Sequence, residues 1–376
     1  MNNILMLHSS SDLYGGSKIL LLTVSIFQKQ GHSPIVVLDS DGPLKSKLEE
    51  KNITVYILEL GILRRQYFNF RGLLNRVSAL VLARKNLQKL VFDHNIDTVY
   101  SNTTGVLVGA YLTSCTKLKH IWHVHEIIKK PRFFSSFIGW HLEKFADEVI
   151  VVSHEVKKHW VKHVDASKIK VIYNGLNHPK ELNAPYDLAK ELQVKRNTLL
   201  IGMVGRVNLW KGQSYFIEVA SILSRKFDDI KFIMVGDAYQ GYEYLYEELK
   251  DQKKKLNMEN RIFDLGYRTD IDQIMSGLDI FVLPSIQPDP LPTVVLEAMG
   301  LGKPVVATAH GGALEMIEDG KTGCLIPWEN AVEAAMKISS LIEDKKLREE
   351  IGLNARARAL KYFSHQRYEA NILKIL

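Results

Sequence analysis

No apolar run of about 18 residues, the usual minimum for a membrane-crossing helix, occurs in this 376-residue chain. The opening run, Ile4 to Leu7, is too short and lacks the flanks of a signal peptide, so it reads as a first buried strand. Cysteine is scarce. Cys115 and Cys324 lie far apart and match no metal-ligand spacing, which reads as two unpaired structural thiols in a reducing cytosol. Low-complexity tracts and short-period repeats are missing. So are acidic residues from Leu60 to Phe92, a stretch that carries Arg64, Arg65, Arg71, Arg76, Arg84, Lys85 and Lys89.

What is present is ordinary globular material. The chain is 46% hydrophobic and 24% charged, long enough for about two domains with a core each. Its formal net charge of +7 is unevenly placed. A second basic patch, Lys129-Lys130-Pro131-Arg132, runs into Phe133, Phe134, Phe137 and Trp140. Both patches predict contact with an anionic surface. No nucleic-acid-binding motif accompanies them, so lipid headgroups are the expected surface and nucleic acid is not an expected partner.

Strand-like apolar runs alternate with helical patterns along the whole chain, which predicts buried parallel sheets covered on both faces. In the first half the runs are Ile4 to Leu7, Ser33 to Leu38, Thr54 to Leu58, Thr98 to Ser101, Lys119 to His123, Glu148 to Val152 and Lys170 to Tyr173. The pattern restarts with Leu199 to Val204, Lys231 to Val235, Arg261 to Leu265, Ile280 to Leu283, Pro304 to Ala307 and Gly323 to Ile326. The stretch between, with Asn174-Gly175, Pro179 and Pro185, marks a boundary near residues 176 to 197 and a turn at an interdomain hinge. Two open α/β domains predict a cleft where the carboxyl ends of strands face a ligand.

Several motifs sit at those strand ends. Tyr14-Gly15-Gly16-Ser17 follows the first strand and opens a helix; glycine lets the backbone approach a bound group, and the free N–H groups favour an anion. It is not the Gly-x-Gly-x-x-Gly of dinucleotide-binding folds, which disfavours nicotinamide cofactors. Gly205-Arg206 with Lys211-Gly212 places two cations five residues apart on a Gly-flanked turn, a pairing suited to a diphosphate. Asp289 precedes a helix and Glu297 lies two turns into it. On that helix Thr293, Glu297 and Gly300 are expected on one side, with Val294, Val295, Ala298 and Leu301 packing the other onto a sheet. His310-Gly311-Gly312 repeats the Gly-Gly turn after a strand, and Asp319-Gly320 reads as a hairpin turn. In His120-Ile-Trp-His123-Val-His125-Glu126, His123 and His125 share a strand face, but no third ligand stands at a metal-site spacing. His125 reads instead as a strand-end histidine that hydrogen-bonds a substrate.

Together these residues resemble the GT-B glycosyltransferases of family 4, over essentially the whole chain. The matching pieces are Gly15-Gly16, His125-Glu126, Val152-Ser153, Tyr173-Asn174-Gly175, Gly205-Arg206 with Lys211-Gly212, and Val235-Gly236. Leu283-Pro284-Ser285, Leu296-Glu297-Ala298-Met299 and Gly311-Gly312 through Gly323 complete them. The resemblance implies two Rossmann-like doubly wound domains with an interdomain cleft. Residues 1–176 would bind the acceptor and 177–361 the nucleotide-sugar donor, and a C-terminal helix at about 362–376 would pack back on the first domain. It implies transfer with retention at the anomeric carbon, no cofactor and no metal.

Carried over by position, Arg206 and Lys211 would neutralise the donor diphosphate as a leaving group, a form of charge stabilisation where charge develops. Glu297 would accept hydrogen bonds from ribose hydroxyls, Asp289 would face the donor sugar, and His125 would hydrogen-bond that sugar near the reacting centre. Gly15, Gly16, Gly205, Leu291 and Thr293 complete the implied donor-binding set. The family usually carries Glu where this chain has Asp289, and Pro290-Leu291-Pro292 follows where many members offer backbone N–H groups. Altered recognition of the donor sugar is the expected consequence. The setting implied is surface-polysaccharide assembly on a lipid-linked acceptor, by a cytoplasmic enzyme peripheral to the inner face of the cell membrane. A GT-B nucleotide-sugar epimerase and a non-catalytic partner subunit are the alternatives. The retained Arg206, Lys211 and Glu297 speak against the second, and the basic, aromatic first half against the first.

Overall fold

The structure is a computed structural model that describes residues 1–63, 67, 69–179, 182, 184–238 and 241–376. Arg64 and Arg65 of the basic stretch lie outside the described residues. The chain divides into two compact units, Met1–Gly175 with Gln366–Leu376, and Leu176–His365.

The first unit holds seven parallel strands among the described residues: β1 (Asn3–His8), β2 (Ser33–Leu38), β3 (Thr54–Ile57), β4 (Thr98–Asn102), β5 (Lys119–Val124), β6 (Glu148–Val151) and β7 (Ile169–Val171). They lie in the order β3-β2-β1-β4-β5-β6-β7. Between them run α1 (Gly15–Lys29), α2 (Pro43–Glu49), α3 (Phe70–Asp93), α4 (Val108–Thr113), α5 (Arg132–Phe145) and α6 (His154–Trp160). The continuous apolar runs read from the sequence are continuous because both faces of the central strands are covered. On one face Leu5, Leu7, Val37 and Val99 pack against Ala83, Leu87 and Leu90 of α3 and Val108 and Leu112 of α4. Helix α3 starts on Asn69, whose side chain accepts the Gly72 N–H at 2.8 Å. Its packed stripe follows the 3–4 spacing of one helix face, while Phe70, Leu74, Val77 and Val81 face outward. Arg76 departs from the anionic-surface contact expected of it. It is buried, bonds Glu59 at 2.6 Å and stacks on Tyr67 at 4.2 Å.

The second unit holds β8 (Leu199–Val204), β9 (Ile230–Val235), β10 (Ile262–Asp264), β11 (Ile280–Leu283), β12 (Val305–Thr308) and β13 (Cys324–Ile326), all parallel, in the order β10-β9-β8-β11-β12-β13. Its helices are α7 (Leu188–Glu191), α8 (Gln213–Ser224), α9 (Leu245–Lys255), α10 (Ile271–Ser276), α11 (Thr293–Gly300), α12 (Ala313–Met316), α13 (Ala331–Glu343) and α14 (Lys345–Tyr362). The Asp319-Gly320 turn is not a hairpin. It joins α12 to β13, a strand parallel to β12, and the Asp319 carboxylate accepts the Leu325 N–H at 2.7 Å.

Strand order reverses direction in both sheets, between β1 and β4 in the first and between β8 and β11 in the second. At such a switch the flanking connections leave to opposite faces and open a crevice outside the strands' carboxyl ends. The Gly15-Gly16 and Gly205–Gly212 segments both follow the first strand of a switch.

The C-terminal helix α15 (His365–Ile372) carries Tyr368, fully buried in the first unit, with its hydroxyl 2.6 Å from Thr23 Oγ1 on α1. Ile372 and Ile375 are buried beside it in that unit's core. Replacing Tyr368 with Ala removes a large buried ring. It is expected to destabilise the first unit by about 3–5 kcal/mol in chemical denaturation and to open α15 to limited proteolysis. An unchanged denaturation midpoint would show that α15 is not held by this ring.

Candidate active site

The second unit's site begins where β8 ends. Gly205 donates its N–H to Val235 O at 2.9 Å, and the Asn208 side chain accepts the N–H groups of Trp210 at 3.1 Å and Lys211 at 2.9 Å. That side-chain-closed turn folds the loop back on itself. Gln213 Nε2 donates to Arg206 O at 2.8 Å, pinning the half-buried arginine's main chain. Gly212, at φ 79°, ends the loop, and a Cβ there would lie 1.8 Å from Pro284 O, so only glycine fits. The loop directs Lys211 onto Asp289, and their side chains form an ion pair largely shielded from solvent. Asp289 is tied at its main chain as well: its carbonyl accepts the Gly312 N–H at 2.7 Å. A Cβ on Gly311 would meet Asp289 O at 2.4 Å, and one on Gly312 would meet Pro290 O at 2.3 Å. The Gly311-Gly312 pair is therefore demanded by close packing on the Asp289–Leu291 backbone. Three loops, after β8, β11 and β12, converge on Asp289.

Helix α11 presents its faces differently from the expected split. Val295, Leu296, Ala298 and Met299 are buried, and so are Thr293 and Gly300; Glu297 shares the open side with Val294 and Leu301. The buried arc is wide because α14 packs on α11 and because His178 fits where a Gly300 side chain would stand, 2.0 Å from an added Cβ. Glu297 lines an open cavity within this unit together with Asn177, His178, Tyr186 and Lys303. Leu291 is buried, so any donor contact it makes falls to its main chain. A second cavity lies at the carboxyl ends of β8, β9 and β10 between Gly205, Gln213, Gly236, Lys250 and Gly266.

In the first unit three polar residues close three adjacent apolar strands. His8 of β1 is in register with Asn102 of β4, and Asn102 with His123 of β5. His125, one residue beyond β5, places Nε2 2.9 Å from Asn102 Oδ1 and packs against His123 with the rings tilted and their centres 4.1 Å apart. His123 bonds elsewhere, to the Tyr100 hydroxyl at 2.7 Å. Glu126 accepts the N–H groups of Thr104 and His125, each at 3.1 Å. Between them Thr103 holds φ 91°, rare for a β-branched residue and fixed by bonds to His123 O, Trp122 Nε1 and Ser9 Oγ. Gly16 faces open space, with nothing within 4 Å of an added Cβ, so the chain's own packing does not require glycine there. His8, Asn102 and Asp289's link to Lys211 escaped the sequence reading. A polar residue ending each of several adjacent apolar runs was the available signal for the first two.

Residues 187–358 match the Glycosyl transferases group 1 family and residues 15–179 the Glycosyltransferase Family 4 family. Anabaena HepE, solved with UDP and glucose, is 30% identical over 100% of this chain and 99% of its own, with a TM-score of 0.86. The chain belongs to the group 1 glycosyltransferases. The same Anabaena protein has been solved with UDP-glucose, at 29% identity and a TM-score of 0.86 over the full length of both chains. An Escherichia coli relative named UDP-Gal:alpha-D-GlcNAc-diphosphoundecaprenol alpha-1,3-galactosyltransferase is 26% identical over 94% of this chain and 90% of its own.

In this glycosyltransferase the second unit's loops offer a cation, Lys211, held by a carboxylate, next to main-chain groups at a switch point. Such a site can hold a charged diphosphate. The first unit offers neutral imidazoles instead. Desolvation lowers His8 to about 4, His120 to about 4 and His125 to about 3, and it raises Glu126 to about 6. Unfolding returns each histidine to 6.5, so the unfolded chain binds more protons below that pH. Their contribution to stability is full above pH 6.5 and is lost as the pH falls toward 4. Glu126 acts in the opposite sense across pH 4.5 to 6, one group against three. The apparent melting temperature is therefore expected to be lower at pH 5 than at pH 7. Equal values would mean that these histidines are not desolvated.

Proposed function

We propose that this glycosyltransferase moves a hexose from a UDP-sugar to a polyprenyl-diphosphate-linked glycan, with retention at the anomeric carbon and without a metal. The observation that carries the reading is the Lys211–Asp289 pair at the β8/β11 switch, in a chain similar throughout its length to a protein solved with UDP-glucose. Arg206 and Lys211 balance the charge that grows on the departing diphosphate. Asp289 holds Lys211 in place and lies beside the donor sugar; Glu297 takes the ribose hydroxyls. Gly205, Leu291 and Thr293 present main-chain groups to the donor, Gly15 and Gly16 admit the reacting groups, and His125 bonds a hydroxyl at the reacting centre.

Retention fits a front-face substitution. The bond from the anomeric carbon to the diphosphate oxygen breaks while the acceptor oxygen bonds to the same face, and the acceptor's proton passes to the leaving phosphate. The diphosphate thereby acts as the base, so no carboxylate nucleophile at glycosidase-type separation is required. Asp289, shorter than the family's Glu by a methylene and engaged with Lys211, is the residue that sets this chain's donor-sugar preference.

The acceptor's lipid anchor accounts for the outer surface of the first unit. Helices α3 and α5 both pack on α4 and so share one face of the sheet. Outward from α3 project Phe70, Leu74, Val77 and Val81 with Arg71, Lys85 and Lys89; from α5 project Phe133, Phe137 and Trp140 beside Lys129, Lys130 and Arg132. Apolar stripes edged with cations suit a peripheral seat on anionic lipid at the inner face of the cell membrane, where surface polysaccharide is assembled on its carrier.

A thermal-shift panel of UDP-, GDP-, ADP- and dTDP-sugars is expected to single out a UDP-hexose, with stabilisation of about 2.7 kcal/mol at 100 times Kd. Lys211→Ala should abolish that shift and lower kcat/KM by about 100-fold or more. Sugar isomerisation without acceptor, or no response to any nucleotide sugar, would overturn the transferase reading. Lys85→Glu combined with Lys89→Glu should weaken binding to anionic liposomes about tenfold or more at low salt. Undiminished binding by that variant, or none by the parent, would remove the membrane assignment.

A further inference from the structure

His125 enters the reading above as a hydrogen-bonding group, but an imidazole can offer either a donor or an acceptor to its ligand, and the two select opposite partners. The first unit holds a continuous hydrogen-bonded chain that makes this choice. His125 Nε2 lies 2.9 Å from Asn102 Oδ1; Asn102 Nδ2 lies 3.0 Å from His8 Nδ1; His8 Nε2 lies 3.0 Å from Ser17 Oγ; Ser17 Oγ lies 3.2 Å from Asp12 Oδ1. Every link but the last has two possible directions, because a neutral imidazole, an amide and a hydroxyl each both donate and accept. An ionised carboxylate only accepts.

Asp12 therefore polarises the series. Ser17 has one proton, and giving it to Asp12 obliges Ser17 to receive from His8, which must then carry its proton on Nε2. His8 Nδ1 is left as an acceptor and takes the Asn102 amide N–H, so Asn102 turns its oxygen toward His125. His125 must then donate from Nε2. The contact of His8 Nδ1 with Asn102 O, at 3.4 Å, is the longer of its two and yields to the amide bond at 3.0 Å. Asp12 is anchored for this task, since it also accepts the Tyr14 N–H at 3.0 Å and the Ser10 hydroxyl at 2.5 Å. With Asn102 reversed, every other link still closes, but Ser17 would have no proton for Asp12.

We propose that Asp12, acting through Ser17, His8 and Asn102, holds His125 as its Nε2–H tautomer, so that His125 meets its ligand through the Nδ1 lone pair. Among the described residues Nδ1 has no hydrogen-bond partner. The group it takes is a donor, and in a sugar transfer that means a hydroxyl of the donor sugar or of the acceptor, not a phosphate or carbonyl oxygen. Asp12 and Asn102 are positioning residues. Because Asp12 accepts the Tyr14 N–H at the start of α1, the Gly15-Gly16 turn and the tautomer of His125 are coupled through one carboxylate. The ligand assignment rests on the transferase reading; the tautomer does not.

The test is ring-nitrogen NMR on the full chain labelled at histidine with 15N, near pH 7 and without ligand. Both His125 and His8 are expected to show a proton on Nε2 and a bare Nδ1. A His125 protonated on Nδ1, or on both nitrogens, overturns the proposal. Asp12→Asn removes the acceptor-only end at nearly constant shape. It is expected to give a mixed or reversed His125 tautomer and to lower kcat/KM about tenfold, the scale of one misdirected hydrogen bond. An unaltered His125 tautomer in a folded Asp12→Asn protein would overturn Asp12's role, and should that variant not fold, the spectrum of the parent protein decides alone. If the expected tautomer is present while no nucleotide sugar binds or reacts, the transferase reading fails and the hydrogen-bonded chain stands.

Discussion

Lys211 and Asp289 meet where β8 and β11, neighbours in the sheet but distant in sequence, release their loops. A shielded ion pair contributes little to folding once its desolvation is counted, so stability alone does not account for it. Its effect is geometric. Lysine is a point charge on a flexible stem, and a partner is needed to hold it at one place before a ligand arrives. Asp289 provides that, and it is fixed in turn by the Gly312 N–H and by the close approach of Gly311. Glycine at 212, 311 and 312 is thus a packing requirement of the charge site, set by carbonyl oxygens that leave no room for a Cβ.

The first unit solves a similar problem without charge at its centre. Its switch, between β1 and β4, is bridged by Asn102, which bonds His8 on one side and His125 on the other. Desolvation keeps both imidazoles neutral, and the group that orders them lies at the rim, where Asp12 is half-exposed and accepts from Ser10, Tyr14 and Ser17. One sheet presents a cation held by an acid. The other presents neutral rings ordered by one.

Much of the frame was legible because parallel strands covered on both faces must be apolar throughout, and such runs stand out. Every expected run from Ile4 to Ile326 became a strand, with no end shifted by more than two residues. Helix faces were less legible. The period of α11 placed Thr293 and Gly300 with Glu297, but α14 and His178 cover part of that arc, and the open side shifted to Val294, Glu297 and Leu301. Arg76 read as one cation of a basic stretch and proved to be buried against Glu59 and Tyr67, since burial depends on what the neighbouring segment supplies.

The sequence by itself determined the class of fold, the strand-end position of Arg206, Lys211 and His125, the place of Glu297 on a helix, and the family to which they point. These follow from local patterns: runs of two-sided apolar strands, and glycine beside a charge at their ends. Only the tertiary structure decided that Lys211 pairs with Asp289, that Gly311-Gly312 serves that pair, and that His125 is tied through Asn102 and His8 to Asp12. Each of those links joins residues separated by whole strands and helices. Hydrogen bonds and ion pairs act over a few ångströms of space, and sheet order, which a linear sequence does not display, sets which distant residues come within that reach.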